Sequence, residues 1–442
     1  MFSIPAHAQI VVDRLERYGY EAYVVGGCVR DSLLGRTPKD WDVCTNALPD
    51  EVLRVFRRFH VIKTGLKHGT VTVMVNHEPV EVTTYRIDGE YTDNRHPDAV
   101  QFVSEIEADL ARRDFTINAM AYSPTRGLVD AFGGQEDLAA KQIRCVGEPD
   151  ERFNEDGLRL MRALRFAARY NFDIERETAY SIHRNRHLLE NVSAERIFSE
   201  LKGILVGDGV LGMMLAFPDV FTIIIPELAP SLGFDQRNPH HCYDVWTHTA
   251  HAVQATPPDE TLRLAMLLHD IAKPTCFSSD ESGKGHFYDH PKLGAGMARD
   301  ILTRLRCDNA TLNAVVTIVT EHDRAFPTTI PGMRRLIGRL GEATIRSLFA
   351  IKKADMAAQS THERDEKRAA LREAALLLDD TLEEGSLFTI KDLQINGRDL
   401  MSMGVPQGPS IRSILSTLLE EVQDDALANT PDALATRARE LM

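Results

Sequence analysis

Three features are scarce in this sequence of 442 residues: paired cysteines, long apolar runs and an excess of positive charge. The six cysteines are scattered and form no CxxC pair, which argues for reduced thiols and against a disulfide framework or a zinc knuckle. No apolar run reaches the roughly 18 residues that span a bilayer. The net charge of −14, from 51 basic and 65 acidic side chains, argues against non-specific nucleic-acid binding through bulk electrostatics. A local basic surface remains compatible with these totals.

The N-terminus has neither the basic start nor the continuous apolar stretch of a signal peptide. Its pattern is that of an amphipathic helix that begins the fold. Together with the cysteine pattern, this predicts a cytoplasmic protein that makes no membrane contact.

Changes of pattern divide the chain into four predicted parts, residues 1–150, 151–230, 231–350 and 351–442. The first alternates helix and strand, with a hairpin around Asn76 and His77, and predicts a small mixed sheet flanked by helices. The second is helical by period, the third is a His-rich helical block, and the last contains helices and loop signals. The predicted fold class is α+β: a mixed-sheet head followed by a mainly α-helical neck, a His-rich domain and a tail.

The stretch "DWD" places Asp40 and Asp42 two residues apart in a predicted strand, so both side chains leave the same face. Two like charges side by side repel each other and stabilise nothing by themselves. Paired carboxylates can hold divalent metal ions such as Mg²⁺, which assist an in-line phosphoryl transfer. The alternative is a solvated strand edge, which is common for an isolated DxD.

The stretch "GGCVRD" lies just upstream, where a predicted strand ends and a helix begins. Gly26 and Gly27 would let backbone N–H groups approach a triphosphate, and Arg30 would add a phosphate contact. Glu81, in a later strand, would complete the acidic site if it faces the same way. A tight turn and an outward-facing glutamate are the alternatives.

One predicted helix, residues 153–170, carries a ridge of arginines with Asp156 three residues before the first of them. No acidic residue between 157 and 170 balances the ridge, which consists of Arg159, Arg162, Arg165 and Arg169. Asp156 and Arg159 together have the donors and acceptors that would read the Watson–Crick edge of a base, and Arg162 and Arg165 would meet phosphates. The alternative is a solvated basic face.

With these motifs the sequence resembles the class II tRNA nucleotidyltransferases, the CCA-adding enzymes of the polymerase β superfamily. Five stretches carry the resemblance in the family's order: "GGCVRD" with "DWDVCT", "RRDFTINAMAY", "DAFGGQEDL", "EDGLRLMRALRF" and "SAERIFSEL". They cover roughly the first 205 residues. The resemblance implies addition of C, C and A to the 3′ end of tRNA from CTP and ATP, with Mg²⁺ and release of pyrophosphate.

Residue roles follow from the same resemblance. It assigns the catalytic metals to Asp40 and Asp42, the phosphates and sugar of the nucleotide to Gly27, Arg30 and Arg113, and templating of CTP and ATP to Asp156 and Arg159, with Arg162 and Arg165 beside them. Residues 83–100 are similar to the family's flexible loop, which is shortened in CC-adding relatives. A CC-adding enzyme, an A-adding enzyme and a poly(A) polymerase remain open as alternatives, and the tRNA would lie along the helical body and tail. The oligomeric state stays open.

The His-rich block resembles an HD domain, in which such residues bind one or two metal ions for phosphohydrolysis. The predicted ligands of a divalent transition metal are His248, His269, Asp270, His290 and Asp323. A metal-dependent HD phosphohydrolase acting on RNA or nucleotides is therefore a second function hypothesis. The alternative is a helical spacer that keeps its histidines without activity.

Overall fold

A computed structural model describes residues 3–89, 100–361, 364–384 and 388–442. The chain divides into two compact units: Met1–Ala229 with Arg304–Arg306, and Pro230–Thr303 with Cys307–Met442. The first unit holds the predicted head and neck, and the second holds the His-rich domain and the tail.

The first unit contains a mixed sheet with the strand order β3-β4-β5-β2-β1-β8-β9. β2 and β5 run parallel, and the other neighbouring pairs are antiparallel. A separate antiparallel pair is formed by β6 and β7, and β10 pairs in parallel with β11. The strands are β1 Ala22–Val25, β2 Asp42–Thr45, β3 His60–Ile62, β4 Thr70–Val75, β5 Glu78–Thr84, β6 Arg86–Asp88, β7 Val100–Phe102, β8 Ala121–Ser123, β9 Gly127–Val129, β10 Gln142–Ile143 and β11 Asp173–Ile174.

The predicted hairpin is confirmed, because β4 and β5 are joined by Asn76 and His77, which both have positive φ. Two consecutive residues of this kind form the tight turn that suits the twist of a hairpin. Asn76 tolerates this conformation better than most residues do. The register that follows along β5 places Glu81 opposite Asp42 on β2.

Helices surround the sheet and form the neck. In the head, Ile106 and Leu110 pack with Tyr23, Val25 and Cys44 of the two central strands. The helices of this unit are α1 Ala6–Arg17, α2 Gly27–Leu33, α3 Pro49–Val55, α4 Ile106–Ala111, α5 Gly134–Ala140, α6 Pro149–Glu155, α7 Leu158–Tyr170, α8 Arg176–Asn185, α9 Ala194–Leu205, α10 Val210–Ala216 and α11 Pro218–Ile224.

The prediction of a single helix over residues 153–170 is wrong, because α6 ends and α7 begins within this range. Asp156 has extended backbone angles, and α7 begins after Gly157. A Cβ at Gly157 would lie 3.0 Å from the carbonyl oxygen of Leu188, so the close approach of another segment coincides with the break. Asp156 therefore precedes the arginine helix and is not part of it.

Within the described residues of the second unit, the only strands are the short antiparallel pair β12 Ser278–Ser279 and β13 Gly285–His286, and the other regular elements are helices. The predicted boundary at residue 350 falls inside α17, so this helix belongs to both predicted parts. No described helix is long and apolar enough to cross a membrane. The helices are α12 Val245–Ala255, α13 Glu260–Leu268, α14 His290–Arg304, α15 Asn309–Glu321, α16 Ile330–Leu340, α17 Glu342–Ala358, α18 Arg364–Glu383, α19 Gly397–Ser402, α20 Pro409–Gln423 and α21 Pro431–Glu440.

Candidate active site and histidine cluster

Three carboxylates lie near one another at the sheet of the head. Asp40 and Asp42 are exposed on either side of the buried Trp41, and β2 begins at Asp42, so Asp40 lies just before the strand in which the sequence predicts it. Asp42 begins β2, and its partner on the parallel strand β5 is the exposed Glu81. Paired residues of neighbouring strands point to the same face, so the register brings Glu81 beside Asp42.

The pKa of Asp42 records this crowding. Although its side chain reaches the surface, the surrounding protein withdraws it partly from water, and this desolvation is the largest cause that raises its pKa to about 6. The carboxylates of Glu81 and Asp40 raise the pKa further, whereas the guanidinium of Arg113 lowers it. Arg113 thus acts on Asp42 as a positive charge, but desolvation and the two carboxylates outweigh it, and the pKa of Asp42 remains raised.

Gly26 and Arg113 lie against each other where β1 ends. Gly26 has a φ of 77°, which favours glycine, and a Cβ there would lie 2.8 Å from Nη1 of Arg113, so the flexible end of that side chain would have to move. Gly27 begins α2, and a Cβ there would meet only Nη2 of Arg30, at 3.5 Å. Nη2 of Arg113 lies 3.4 Å from Asp109, and its buried Nε has no hydrogen-bond partner among the described residues.

The structure places Arg30 in the interior of the first unit. Its Nε donates to Asp31 at 2.9 Å and its Nη1 donates to Asn118 at 2.5 Å. The guanidinium carbon also lies 5.1 Å and 5.0 Å from the ring centres of Phe166 and Tyr170 on α7. Only 5% of the residue is exposed, so the geometry gives Arg30 a structural role between α2 and α7 and does not bring it to the surface as a phosphate ligand.

Asp156 and Arg159 lie near the junction of α6 and α7. The Asp156 carboxylate accepts from the backbone N–H of Leu158 at 3.0 Å and from Nη2 of Arg196 at 2.7 Å. Arg159 donates to Glu155 at 2.5 Å. The side chain of Asp156 is 15% exposed, and that of Arg159 is 12% exposed.

The other two arginines assigned to the nucleotide are paired with acidic residues from outside α7. Arg162 donates through Nε and Nη2 to Asp114, at 2.9 and 2.6 Å, and Arg165 donates to Glu200 on α9 at 2.5 Å. Burial raises the pKa of Asp114, but Arg162 and a hydrogen bond from Asn118 outweigh it and lower the pKa to about 2. The interpretation as an unbalanced basic ridge considered α7 alone, whereas the balancing carboxylates come from other elements.

A separate cluster of imidazoles and carboxylates lies in the second unit. Nε2 of His248 is 2.9 Å from Asp355 and 3.5 Å from Asp270, and Nε2 of His269 is 3.1 Å from Asp270. On the other side of Asp270, Nε2 atoms lie at 3.4 and 3.7 Å, contributed by His290 and His322. Two sets of ligand atoms lie within 4.8 Å of one another among the described residues: His248, His269 and Asp270, and Asp270, His290 and His322.

Backbone carbonyls orient these imidazoles. Nδ1 lies 2.7 Å from the carbonyl oxygen three residues earlier in His269, His290 and His322, and 3.3 Å from Ala358 in His248. With Nδ1 turned to a carbonyl oxygen, Nε2 is the nitrogen that remains for a metal ion. In the metal-free chain Nε2 of His248 and of His269 lie beside Asp355 and Asp270, at 2.9 and 3.1 Å, so a metal ion would have to displace a proton from His269.

Asp323 was predicted as a ligand, and the structure does not bring it into this cluster. Its side chain is exposed, while the preceding His322 faces the cluster. The adjacent pair His269 and Asp270 both join the cluster, whereas of His322 and Asp323 only His322 does. His322 and Asp355, which the sequence interpretation missed, occupy the remaining positions. A histidine next to the predicted aspartate was a usable signal, but nothing near Asp355 was.

Besides these hydrogen bonds, the charged groups of the cluster lie close together and shift each other's pKa values. Burial lowers the pKa of His269, but Asp270 and Asp355 overcome this and raise it to about 10. Lys273 lies 2.7 Å from Asp270. The donor set of several imidazoles and two carboxylates suits a divalent transition metal.

Three protein-family models match successive parts of the chain. The poly A polymerase head domain matches residues 22–144, the probable RNA and SrmB-binding site of polymerase A matches 171–232, and the HD domain matches 240–360. The CCA-adding enzyme of Levilactobacillus brevis is 33% identical over 436 residues, which cover 97% of this chain and 96% of that protein. The chain belongs to the CCA-adding enzyme family. The predicted family and fold are thereby confirmed.

Other CCA-adding enzymes extend the comparison. That of Geobacillus thermodenitrificans is 48% identical over 197 residues, 45% of this chain, and the match spans about half of that relative (48%). A crystal structure of the Bacillus stearothermophilus CCA-adding enzyme in complex with CTP matches with a TM-score of 0.74 and 27% identity, over 98% of this chain and 96% of that one. A Thermotoga maritima CCA-adding enzyme complexed with tRNA shares the fold at 20% identity and a TM-score of 0.60.

The segment that resembles the family's flexible loop, residues 83–100, is described only at its ends. Its first residues complete β5 and form β6, and Val100 begins β7. Residues 90–99 lie outside the described residues, so the prediction for them stays a prediction.

Proposed function

We propose that Asp40, Asp42 and Glu81 are the catalytic carboxylates with which this chain adds C, C and A to the 3′ end of tRNA. In that reaction the terminal 3′-hydroxyl attacks the α-phosphate of CTP or ATP and loses its proton. The new O–P bond forms as the bond to the β-phosphate oxygen breaks, and pyrophosphate leaves. The observation that carries this assignment is the register of β2 and β5, which aligns Glu81 with Asp42 beside Asp40.

The donor set suits Mg²⁺, which prefers carboxylate and phosphate oxygens. Asp40 and Asp42 would hold it, with Glu81 beside them. Desolvation and, next to it, the charges of Glu81 and Asp40 raise the pKa of Asp42, and a bound cation would offset both. Bound divalent ions would supply positive charge to the attacking and leaving oxygens. The three side chains supply the anionic pocket that concentrates those ions next to the nucleotide.

We assign the triphosphate to Arg113 and to the backbone at Gly26 and Gly27. The buried Nε of Arg113 is an unused donor beside the turn, and the Gly26 conformation leaves room for the guanidinium. Arg30 would act indirectly, since it holds α2 against α7. This replaces the direct phosphate contact that the sequence predicts for Arg30.

Base selection is assigned to Asp156 and Arg159, held in place by Arg196 and Glu155. A carboxylate has about four acceptor directions, and two of those of Asp156 are used, so it can still accept from an exocyclic amino group. Arg162 and Arg165 support the same surface through Asp114 and Glu200. The partners are tRNA, CTP and ATP, and we expect this tRNA-processing reaction to take place in the cytoplasm.

The test is incorporation of labelled CTP and ATP, with Mg²⁺, into a tRNA that lacks its last three nucleotides. Addition of two C and one A by the wild type, abolished in Asp40→Ala, is the expected result. Two C without A would show a CC-adding enzyme, A alone on a tRNA ending in CC would show an A-adding enzyme, and a long A tail would show a poly(A) polymerase. Incorporation that persists in Asp40→Ala would contradict the assignment of the carboxylates.

A second activity is favoured by the histidine cluster, and we propose that the HD domain is a metal-dependent phosphohydrolase. His248, His269, Asp270, His290, His322 and Asp355 would hold a divalent transition metal, which would lower the pKa of a bound water. In the reaction the water oxygen attacks phosphorus, the ester P–O bond breaks, and the proton passes to the leaving alcohol. Hydrolysis of phenyl phosphate by protein loaded with Mn²⁺, Co²⁺ or Ni²⁺, and its loss in Asp270→Asn, tests this proposal.

A further inference from the structure

One face of the sheet in the first unit is open between the carboxylates and the sheet edge at β3. On β4, Val71, Val73 and Val75 are buried, whereas Thr72 and Met74, which alternate with them, are partly exposed. α1 packs against β4 and β5 with its buried apolar side, so it covers the face on which the valines lie. The face that carries Thr72 and Met74 is therefore the open one.

A row of paired residues crosses this open face, and we call it the cross-strand row. The register of β3, β4, β5 and β2 aligns four residues, in the order Ile62, Thr72, Glu81 and Asp42. Neighbouring strands lie about 4.8 Å apart, so the row is roughly 14 Å long. Ile62 is 40% exposed, and the hydroxyl of Thr72 has no hydrogen-bond partner among the described residues. A substrate that reaches the carboxylates along this row meets Thr72 directly before Glu81.

The chemistry of the transfer decides which substrate approaches along the row. The proposed triphosphate site, at Gly26, Gly27 and Arg113, lies where β1 ends, and β1 adjoins β2 on the side away from β5. In an in-line phosphoryl transfer the attacking and leaving oxygens stand on opposite sides of the phosphorus atom. With pyrophosphate leaving on the β1 side, the attacking 3′-hydroxyl comes from the side of β5 and β4.

Basic side chains surround β3 at the outer end of the row. The exposed residues of this basic edge are Arg57, Arg58, His60, Lys63 and Lys67. No acidic residue occurs between positions 52 and 77, although the chain as a whole has a net charge of −14. The five side chains form no ion pair within the part of the chain that the structure describes. The basic edge therefore lacks the balancing carboxylates that the arginines of α7 have.

A single RNA strand fits both parts of this surface. A stacked strand has a phosphate roughly every 3.4 Å along its axis, so about four phosphates lie within the length of the row. The phosphates further from the 3′ end would then reach the basic edge, where cations are available to pair with them. Ile62 and Met74 supply apolar surface on the same face, which unpaired bases can contact.

The position of Thr72 suits the sugar of the last nucleotide. Cβ atoms of directly paired residues lie about 5 Å apart, so the Thr72 hydroxyl is close to the Glu81 carboxylate. The 2′- and 3′-hydroxyls of ribose are on adjacent carbon atoms. A 3′-hydroxyl placed at Glu81 therefore brings the 2′-hydroxyl to Thr72, whose own hydroxyl can donate or accept a hydrogen bond.

We propose that the single-stranded 3′ end of the tRNA lies along the cross-strand row, that Thr72 binds the 2′-hydroxyl of its terminal ribose, and that Lys63 and Lys67 bind phosphates further from the end. The proposal rests on the proposed nucleotide addition. It adds the side from which the tRNA enters and a residue that distinguishes an RNA end from a DNA end. Thr72 binds the substrate, and the bond-forming step stays at the carboxylates.

Two tRNAs that end in CC, one with ribose and one with 2′-deoxyribose at the last position, test the role of Thr72. The wild type is expected to add A to the ribose form with at least about ten-fold higher kcat/KM, and Thr72→Val is expected to reduce this preference below about three-fold. Thr70→Val is the matched control and should keep the wild-type preference, since the Thr70 hydroxyl is already hydrogen-bonded to Thr83 at 3.0 Å. Equal use of both tRNAs by the wild type, or an equal loss with both in Thr72→Val, would overturn this assignment.

Binding of the ribose form to the full chain in EDTA, measured by fluorescence anisotropy at several salt concentrations, tests the basic edge without catalysis. The double variant Lys63→Gln, Lys67→Gln is expected to bind at least about five-fold more weakly. Its plot of log K against log salt should be shallower by about 1.4, the loss of two single-strand phosphate contacts. Arg17→Gln is the control and should change neither quantity, because Arg17 is exposed on α1, which covers the opposite face.

Unchanged binding in the double variant would overturn the phosphate contacts and leave these charges only the role of hindering association between sheet edges. Failure of the proposed function has a different signature. A wild type that adds no nucleotide but shows the expected salt effect would contradict nucleotide addition and retain the RNA-binding edge.

Discussion

At the scale of single residues, Asp42 combines a catalytic assignment with a cost to stability. Its pKa in the folded chain is raised to about 6, so the folded state binds the proton more tightly than the unfolded state, in which the pKa is near 4. Stability from this group is therefore present below about pH 4 and is lost as the pH rises towards 6. At neutral pH the ionised Asp42 destabilises the metal-free protein.

Asp42→Asn is accordingly expected to abolish nucleotide addition and to stabilise the metal-free protein. The gain above pH 7 should be on the order of 1 kcal/mol, less than the full pKa shift implies, because the side chain is exposed and solvent screens it. Urea unfolding in EDTA at pH 5 and pH 8 measures this, and the gain should be larger at pH 8. Glu78→Gln, at the turn end of the same strand β5, is the control and should change neither property.

Gly26 is the second residue whose exchange has a defined outcome. In Gly26→Ala the positive φ and the contact with Arg113 act together, so we expect a loss of about 1–3 kcal/mol in unfolding free energy and a raised KM for CTP and ATP. Gly35→Ala separates the causes, because Gly35 also has positive φ but open space around it. A KM change of equal size in Gly35→Ala would refute the role assigned to the Arg113 contact.

At the scale of elements, α7 is attached to the head by a buried network. Asp114 accepts from Arg162 and Asn118, and Asn118 in turn accepts from Arg30. These bonds link the helix to the segment before β8 and to α2. The position of the base-reading surface relative to the carboxylates of the same unit therefore depends on this network.

Asp114→Asn is expected to lower the free energy of unfolding by about 1–3 kcal/mol, because it removes the buried partner of a partly exposed ion pair, which solvent screens. A double-mutant cycle with Arg162→Met, measured by urea unfolding at pH 7, should give a coupling of at least about 1 kcal/mol. The exposed pair of Asp13 and Arg17 on α1 is the comparison, and its cycle should give less than about 0.5 kcal/mol. Purely additive effects at Asp114 and Arg162 would exclude the proposed link.

Local pattern predicted the elements of the head better than it predicted the partners of their side chains. The hairpin at Asn76 and His77 follows from short-range rules of turn geometry. The break at Asp156 does not, because the helical period continues through "NEDG" and the packing of Leu188 on Gly157 is a long-range contact.

The same limit explains the arginines and the histidine cluster. Periodicity places Arg162 and Arg165 on one face but cannot show that Asp114 and Glu200, 48 and 35 residues away, pair with them. Asp355 is likewise far from the histidines in sequence and joins them through the packing of α17 against α12, α13 and α15. The residue types therefore indicated the sites in the sequence, whereas tertiary contacts determine which residues belong to them.

At the scale of the whole molecule, the two proposed chemistries belong to different units of the chain. The carboxylates and base-reading residues lie in the first unit, and the cluster lies in the second. We therefore expect that Asp355→Asn reduces the affinity for Mn²⁺ or Ni²⁺ at the cluster at least ten-fold while CCA addition stays within two-fold of the wild type. Calorimetric metal titration and the incorporation assay measure the two properties.

Asp323→Asn is the matched control for that experiment, since Asp323 lies next to His322 but outside the cluster. It should leave metal affinity unchanged. A loss of affinity in Asp323→Asn equal to that in Asp355→Asn would restore the original ligand assignment.

The backbone carbonyl groups that orient the imidazoles determine which substitutions this domain tolerates. Because Met266, Phe287 and Val319 orient the histidines through their backbone oxygens, no side-chain exchange at these positions can delete the hydrogen bond itself. A saturation library is expected to accept other apolar residues there and to reject most changes at His269, His290 and His322. Substitutions at Met266, Phe287 and Val319 are thus expected to leave the orientation of the histidine ligands unchanged.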